Sequence, residues 1–534
     1  MLRDINPSMN PFFTDLGTVG NQVFFFASDS VYNLTFWASD GTPNGTREVK
    51  EINPGPNADW WSFHHSVNAS MISMRDTAYF FAYRNDIGYE LWKSAGHDSN
   101  TVLVKDINPG PASALPTTNL VVQIQPTLFQ NKLYFVAFSA DLGYEVWRTD
   151  GTAEGTIPVS AIPGNSDDFY PTYLQVVGER LFFAMDPWGT PQPGAFFASD
   201  GTPEGTIQFS NLIPAHYPPL GSLFFPQVGE WIYFTARETG DGNNELYRVK
   251  EDLSVVELFY DFNGDNEGNP ENFTQANGGF IFNTRHNNIG NADNITLLCN
   301  GSIDINQSLL NENGAPMEAT GGWIGWNNRA LIEASNDSLY ITDGTVAGLR
   351  SLGLMGEING LNAEGMERYF IAYNEYLIFI FSDDDYTYLM ISDGTAQGTF
   401  PLLNPENWSP LNRMTVLGNK LIISLIDELA DPAYPELYAL NLNDLPLLKG
   451  PDLDVTPQTL VYPNPVEGKF KIANMKSHHA FKIFSSHGLL MQEGHISQGE
   501  EIILDRHIKE GVYTIICNQI ENGNQFTSRF LVVH

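Results

Sequence analysis

Short apolar runs separated by turn residues recur along the first 450 residues. Lys132-Leu133-Tyr134-Phe135-Val136-Ala137-Phe138 is one, dense in aromatic and β-branched side chains. Runs of this length, bounded by Gly, Asp and Pro, predict strands. The turn Asp141-Leu142-Gly143 leads into Tyr144-Glu145-Val146-Trp147-Arg148, and Asp150-Gly151 then makes a tight turn that needs positive φ. Thr156–Ile162 is expected as a further strand. The same hairpin turn recurs as Asp86-Ile87-Gly88 and Asp241-Gly242-Asn243.

These strands belong to a repeat. The tetrad Ser/Thr-Asp-Gly-Thr occurs at Ser39–Thr42, Thr149–Thr152, Ser199–Thr202, Thr342–Thr345 and Ser392–Thr395. It extends to Asp-Gly-Thr-x-x-Gly-Thr at Asp40, Asp150, Asp200 and Asp393, and nearly so at Asp343. Spacing exposes worn copies at Glu90–Gly96, Glu245–Arg248, Thr296–Gly301 and Glu436–Leu440. The result is nine units of roughly 50 residues, a period in the range of propeller blades. Three to four strands per unit is what a blade requires. The expected fold is all-β: a β-propeller of eight or nine blades over residues 1–450, a linker at 451–459, and a small Ig-like β-sandwich at 460–534. Leu2-Arg3-Asp4-Ile5-Asn6-Pro7 matches the end of a unit that has no beginning. Either it pairs into the last blade and closes the ring, or upstream repeats precede it.

The copies at Glu90–Gly96 and Glu145–Thr156 resemble a family of bacterial surface repeats with the consensus Glu-Leu-Trp-x-Ser/Thr-Asp-Gly-Thr-x-x-Gly-Thr. That resemblance implies a propeller used outside the cell and implies no reaction. The C-terminal segment opens with Val461-Tyr462-Pro463-Asn464-Pro465, where two prolines enforce an extended entry. Strands are expected at Lys469–Ile472, Ala480–Phe484, Glu501–Leu504, Gly511–Asn518 and Ser528–Val533. With Tyr462, Pro463, Asn464 and Pro465, the Phe481–Phe484 strand, Gly511-Val512-Tyr513 and the terminal Arg529–Val533, the segment is similar to the type A sorting domain of type IX secretion. The resemblance implies a Bacteroidetes-type bacterium and type IX machinery as a partner. It further implies passage across the outer membrane to the surface or the medium.

Charge sharpens this division. From Leu460 onward seven basic and seven acidic residues cancel, leaving 20 of the chain's 27 basic and 56 of its 63 acidic residues before it. So acidic a surface repels nucleic acid and anionic bilayers. It either keeps an exported protein soluble or attracts divalent cations or cationic surfaces. Cys299 and Cys517, in different expected domains, build no disulfide framework. No apolar run reaches the length needed to span a bilayer. Met1-Leu2-Arg3-Asp4 leads into polar residues and Pro7 rather than an apolar signal-peptide core, so a signal peptide is expected upstream or already removed.

Candidate chemistry is sparse. Asp261, Asn263 and Asp265 set oxygen donors at alternate positions, as calcium loops do. Asn272 stands where an EF-hand needs a bidentate Glu, so Glu267 or Asn269 would have to serve; the alternative is a polar turn between blades. Asp383-Asp384-Asp385 reads as a solvated hairpin tip. Because the Asp of Asp-Gly-Thr repeats, it is expected to hydrogen-bond its own turn rather than to catalyse. Trp37, Trp92 and Trp147 are expected in blade packing. Trp60, Trp61, Trp188, Trp231, Trp323, Trp326 and Trp408 lie outside the repeat and could stack on a ligand. Neither His64-His65 nor His478-His479 readily chelates one metal, since strand neighbours face opposite ways. No catalytic motif is present. The expected role is a non-enzymatic exported module binding an extracellular glycan or protein, with no cofactor beyond a calcium ion. The alternatives are a polysaccharide-acting propeller enzyme with carboxylates at the axis, and a structural adhesion module.

Overall fold

The computed structural model describes residues 1–3, 5, 13–28, 34–54, 71–115, 126–160, 170–186, 194–214, 225–238, 243–262, 268–284, 295–303, 309, 317, 319–334, 338–355, 357–358, 370–382, 386–396, 398–403, 408–428, 435–442, 461–462, 469–472, 479–485, 490–497, 500–504, 508, 511–519 and 525–532. The chain folds as two compact units, Met1–Leu440 and Asn441–His534.

The first unit is a nine-bladed β-propeller. Its blades are consecutive antiparallel meanders; blade three, for example, runs Thr127–Phe129, Lys132–Ser139, Gly143–Thr149 and Ile157–Pro158. The second strand of each blade carries the longest apolar run, as in Val23–Ala27, Ala78–Ala82 and Leu133–Ala137, all buried. A strand in the middle of a blade is covered on both faces by neighbouring blades, so it reads as a continuous hydrophobic run rather than an alternation. Phe26, Phe36 and Phe80 show this packing between blades one and two, with Phe36 and Phe80 stacked at 4.4 Å.

The blades are not identical. In blades five and eight the first strand comes in two pieces, Ile213–Pro214 with Gln227–Val228, and Glu357–Ile358 with Phe370–Tyr373. Blades six and nine have three strands each among the described residues. The outer position of blade nine is taken by the other end of the propeller: Arg3 bridges antiparallel to Leu437, and the Leu2 amide donates to the Leu437 carbonyl at 2.7 Å. The orphan segment thus pairs into the last blade. Leu2, Phe13, Phe25, Trp37, Ile422 and Leu437 share one buried cluster, so blades nine and one pack as other neighbours do.

Strand directions give the ring two different faces. The first-to-second and third-to-fourth turns leave from one face; the second-to-third turns and blade-to-blade crossovers leave from the other. All nine first-to-second turns have two residues, from 20–21 in blade one to 418–419 in blade nine. Several hold both residues at positive φ, as at Gln130 and Asn131, which matches the right-handed twist of the flanking strands. The longer connections leave from the strand ends at the opposite face, as after Glu51, Lys105, Pro158 and Thr284.

The second unit contains a three-stranded sheet (Val461–Tyr462, Lys469–Ile472, Glu501–Ile503) and a four-stranded sheet (Leu490–Ile496, His479–Ser485, Gly511–Gln519, Gln525–Val532). Phe481, Ile483, Ile496, Ile502 and Ile508 are buried. Gly494 seats the Phe481 ring, for a Cβ there would lie 2.9 Å from it.

Candidate functional site

The repeated tetrad forms the third-to-fourth turn of its blade. In blade one the Thr42 amide and hydroxyl both donate to Asp40 Oδ1, at 2.9 and 2.6 Å. The Gly41 amide donates to Ser39 Oγ at 3.1 Å, and Ser39 Oγ pairs with Thr46 Oγ1 at 2.7 Å. The second glycine is fixed by contact: a Cβ on Gly45 would stand 2.0 Å from Asp40 Oδ1. The turns at Asp150, Asp200 and Asp393 repeat these bonds. The hydroxyls of Thr42, Thr152 and Thr202 hold the carboxyls of Asp40, Asp150 and Asp200 below the usual range. Each Asp therefore binds its own turn.

Two repeated contacts join the blades. Lys93 Nζ of blade two donates to the Gly151 carbonyl of blade three at 2.6 Å, and Arg148 of blade three reaches the Gly201 carbonyl of blade four. At ring closure the same acceptor is met from another strand: Lys420, at the start of the second strand of blade nine, grips the Gly41 carbonyl of blade one at 2.8 Å. The second contact is a buried glutamate in the first half of the third strand. Glu90 accepts from the Ile107 and Asn108 amides, at 2.9 and 3.1 Å, where the chain crosses to blade three. Burial pushes its carboxyl up to about 8. Sequence reasoning missed both devices, although the Glu of Glu-Leu-Trp and the cation after the Trp recur at fixed places.

Glu245 bears on the candidate calcium loop. Its carboxylate accepts from the Phe262 and Gly268 amides, at 2.9 and 3.0 Å, pinning both ends of residues 263–267. Those bonds commit both of its oxygens to the backbone. Asp261 is exposed, while Asn263 and Asp265, with Glu267, lie outside the described residues. Among the described residues no group of three or more His, Cys, Asp or Glu side chains could hold a metal ion.

The inner strands line the axis. Two residues before the nine short turns stand Thr18, Ser73, Leu128, Val176, Gln227, Gln275, Gly325, Ala372 and Val416. None is buried and none is charged. None of these nine inner-strand residues is a carboxylate of the kind glycoside hydrolysis pairs.

Trp37, Trp92 and Trp147 are buried in blade packing, as their place in the repeat predicts. Of the tryptophans outside the repeat, Trp326 is also a core residue, 5% exposed, so it offers no stacking face. Arg248 covers the Trp231 ring at 3.9 Å, and Trp408 packs edge-on against Tyr438. Trp60, Trp61, Trp188, the histidines 64, 65 and 478, and Asp383–Asp385 lie outside the described residues. Nothing is described of the side chains of Trp323 and His479. Cys299 is a buried free thiol whose pKa burial pushes up to about 11.

In the C-terminal unit, Tyr462 pairs with Lys471 across the edge of the three-stranded sheet. Pro463, Asn464 and Pro465 lie outside the described residues. Residues 460–534 match the secretion system C-terminal sorting domain. The sorting domain indicates export by type IX secretion to the cell surface or beyond, and implies a Bacteroidetes source. No described helix is long and apolar enough to cross a membrane. The chain matches no curated protein.

Several solved structures share a distant likeness. A puromycin hydrolase is 12% identical with a TM-score of 0.35; the match covers 88% of this chain and 61% of the hydrolase, so this chain spans less than two thirds of it. PorZ of Porphyromonas gingivalis, an essential bacterial surface component of the type IX secretion system, is 13% identical with a TM-score of 0.23, covering 98% of this chain and 86% of that one. The computationally designed Ika8 protein is 12% identical with a TM-score of 0.38, covering 73% and 98%.

Proposed function

We propose that this chain is an exported surface module: residues 1–450 form a propeller that binds an extracellular ligand or surface, 451–459 link it to the tail, and residues 460–534, an Ig-like sandwich, direct the chain across the outer membrane. The sorting-domain match carries the export half of this reading. The boundary between compact units after Leu440 and the loss of acidic bias near Leu460 support the division. For the propeller, support comes from the asymmetry of its faces. Tight self-bonded turns lie at one face, while the longer connections, on which binding residues concentrate, leave from strand ends at the other. A glycan or a protein is the expected ligand, and the repeat resembles those of bacterial surface proteins.

Deleting residues 460–534 from the gene carrying its signal peptide should strand the protein in the periplasm. The intact chain should reach the surface or the medium, shortened if the tail is cleaved. Arrival of the deletion variant at the surface would refute the sorting role. Glycan arrays and surface pull-downs with the purified full chain test the binding role separately, and failure of both to retain any ligand would leave a spacer module.

A further inference from the structure

An Asp-Gly sequence is a chemical weak point. The glycine amide nitrogen can attack the aspartate Cγ. An N–Cγ bond forms, the Cγ–O bond breaks, and the carboxyl oxygen leaves as water with the amide proton. Water then opens the five-membered succinimide at either carbonyl; attack at the backbone carbonyl leaves an isoaspartyl kink with one extra carbon in the main chain. The reaction needs a free amide, an approaching carboxyl and, for water to leave readily, a protonated carboxylic acid. Five such sequences sit in the described third-to-fourth turns of this propeller.

Each turn restrains both reactants. The amides of Gly41, Gly151, Gly201, Gly344 and Gly394 donate backward to the hydroxyls of Ser39, Thr149, Ser199, Thr342 and Ser392, at 2.9 to 3.1 Å. The carboxylates point forward. Oδ1 of every one accepts from the amide and hydroxyl of the following threonine, as from Thr202 at 2.9 and 2.6 Å. The second glycine keeps that forward seat open, for a Cβ on Gly205 would meet Asp200 Oδ1 at 2.0 Å. We infer that the Ser/Thr-Asp-Gly-Thr turns are guarded isomerisation sites, in which the leading hydroxyl and the trailing threonine hold the glycine amide and the aspartate carboxyl apart. The same threonine bonds keep Asp40, Asp150 and Asp200 ionised to lower pH, which withholds the reactive acid form.

Blade two shows which half of the guard belongs to the turn itself. There Ala95 replaces the aspartate, yet the Gly96 amide still donates to Ser94 Oγ at 3.0 Å. The hydroxyl thus builds the turn with or without an aspartate. Where the aspartate is present, the same bond acquires a protective consequence.

The test uses the full chain, folded, incubated for weeks at mildly acidic pH and then peptide-mapped by mass spectrometry. Succinimide appears as loss of one water, and isoaspartate as a retention shift at unchanged mass. Ser199→Ala removes the acceptor for the Gly201 amide. Conversion at Asp200 should rise about tenfold, the effect of losing one hydrogen bond from the ground state. Asp40 and Asp150 in the same molecules should stay at the wild-type rate. Ser199→Thr keeps the hydroxyl, as Thr149 and Thr342 do in their own turns, and should restore slow conversion. The inference is overturned if Asp200 converts no faster in Ser199→Ala, or if all three turns accelerate together. It is also overturned if wild-type Asp200 converts as fast as an unfolded Ser-Asp-Gly-Thr peptide.

Discussion

At Glu90, burial outweighs two amide hydrogen bonds, and the carboxyl is raised from 4.5 to about 8. The sign follows directly: a folded-state pKa above the unfolded value means that folding favours the protonated form. The stability it contributes is complete below about 4.5 and is lost as pH rises to about 8. Glu90→Gln cannot ionise. Urea midpoints measured near the two ends of that window should therefore fall further for wild type than for the variant. Equal slopes would show that the carboxyl titrates normally. The second glycine of the turn makes a different demand, for space. Gly205→Ala would force its Cβ against Asp200 Oδ1, and should cost about 1–3 kcal/mol in chemical unfolding, the usual range for overpacking. The repeat displays both residues plainly, but only coordinates show that one glutamate anchors a crossover and one glycine makes room for a carboxylate.

Among the elements, the outer strand of blade nine is the one borrowed from far away in sequence. Arg3 occupies the place that Lys105 occupies in blade two. Arg3 Nη1 donates to the Thr46 carbonyl at 2.9 Å and lies over Trp37; Lys105 Nζ donates to the Thr156 carbonyl at 2.7 Å and lies over Trp147. Arg3→Ala should lower stability by about 1 kcal/mol. Removing residues 1–5 should cost more, because Leu2 is buried and a fully buried leucine is worth about 2 kcal/mol. Calorimetry of the two variants would check the ranking, and equal melting temperatures for wild type and the truncation would contradict it. Legibility differed among the strands. Third strands were readable even in worn copies, since Glu245–Lys250 and Pro435–Asn441 keep the Glu-Leu-aromatic core. Inner strands were not, because axial positions as different as Thr18, Leu128 and Gly325 carry no period, and bulges such as that between Thr172 and Gln175 break the alternation. Thr156–Ile162, expected as a strand, contributes Ile157–Pro158. In the tail, Leu490–Ile496 escaped notice because its centre, Gln492-Glu493-Gly494, reads as a turn.

For the whole molecule, charge is the dominant long-range term. The formal charge of −36 lies wholly before Leu460, and like charges on one ring repel. Raising salt from a few millimolar to physiological strength should therefore raise the propeller's melting temperature as the repulsion is screened. A flat response would mean that bound cations already neutralise the surface. The chain should also pass unretained through heparin and DNA columns.

The pairing of Leu2 with Leu437 has a consequence in time. A solenoid can stop growing anywhere, but a ring held by the Leu2–Leu437 pairing lacks that contact until its last blade has formed. Before that pairing, the chain is a row of blades with two raw ends, and each raw end is an unsatisfied strand edge that a second copy could occupy. Closing so long a loop costs only slightly more entropy than closing a short one, because the cost grows with the logarithm of length. The hazard is delay rather than energy: every newly made chain must find its own first strand before it meets a neighbour's.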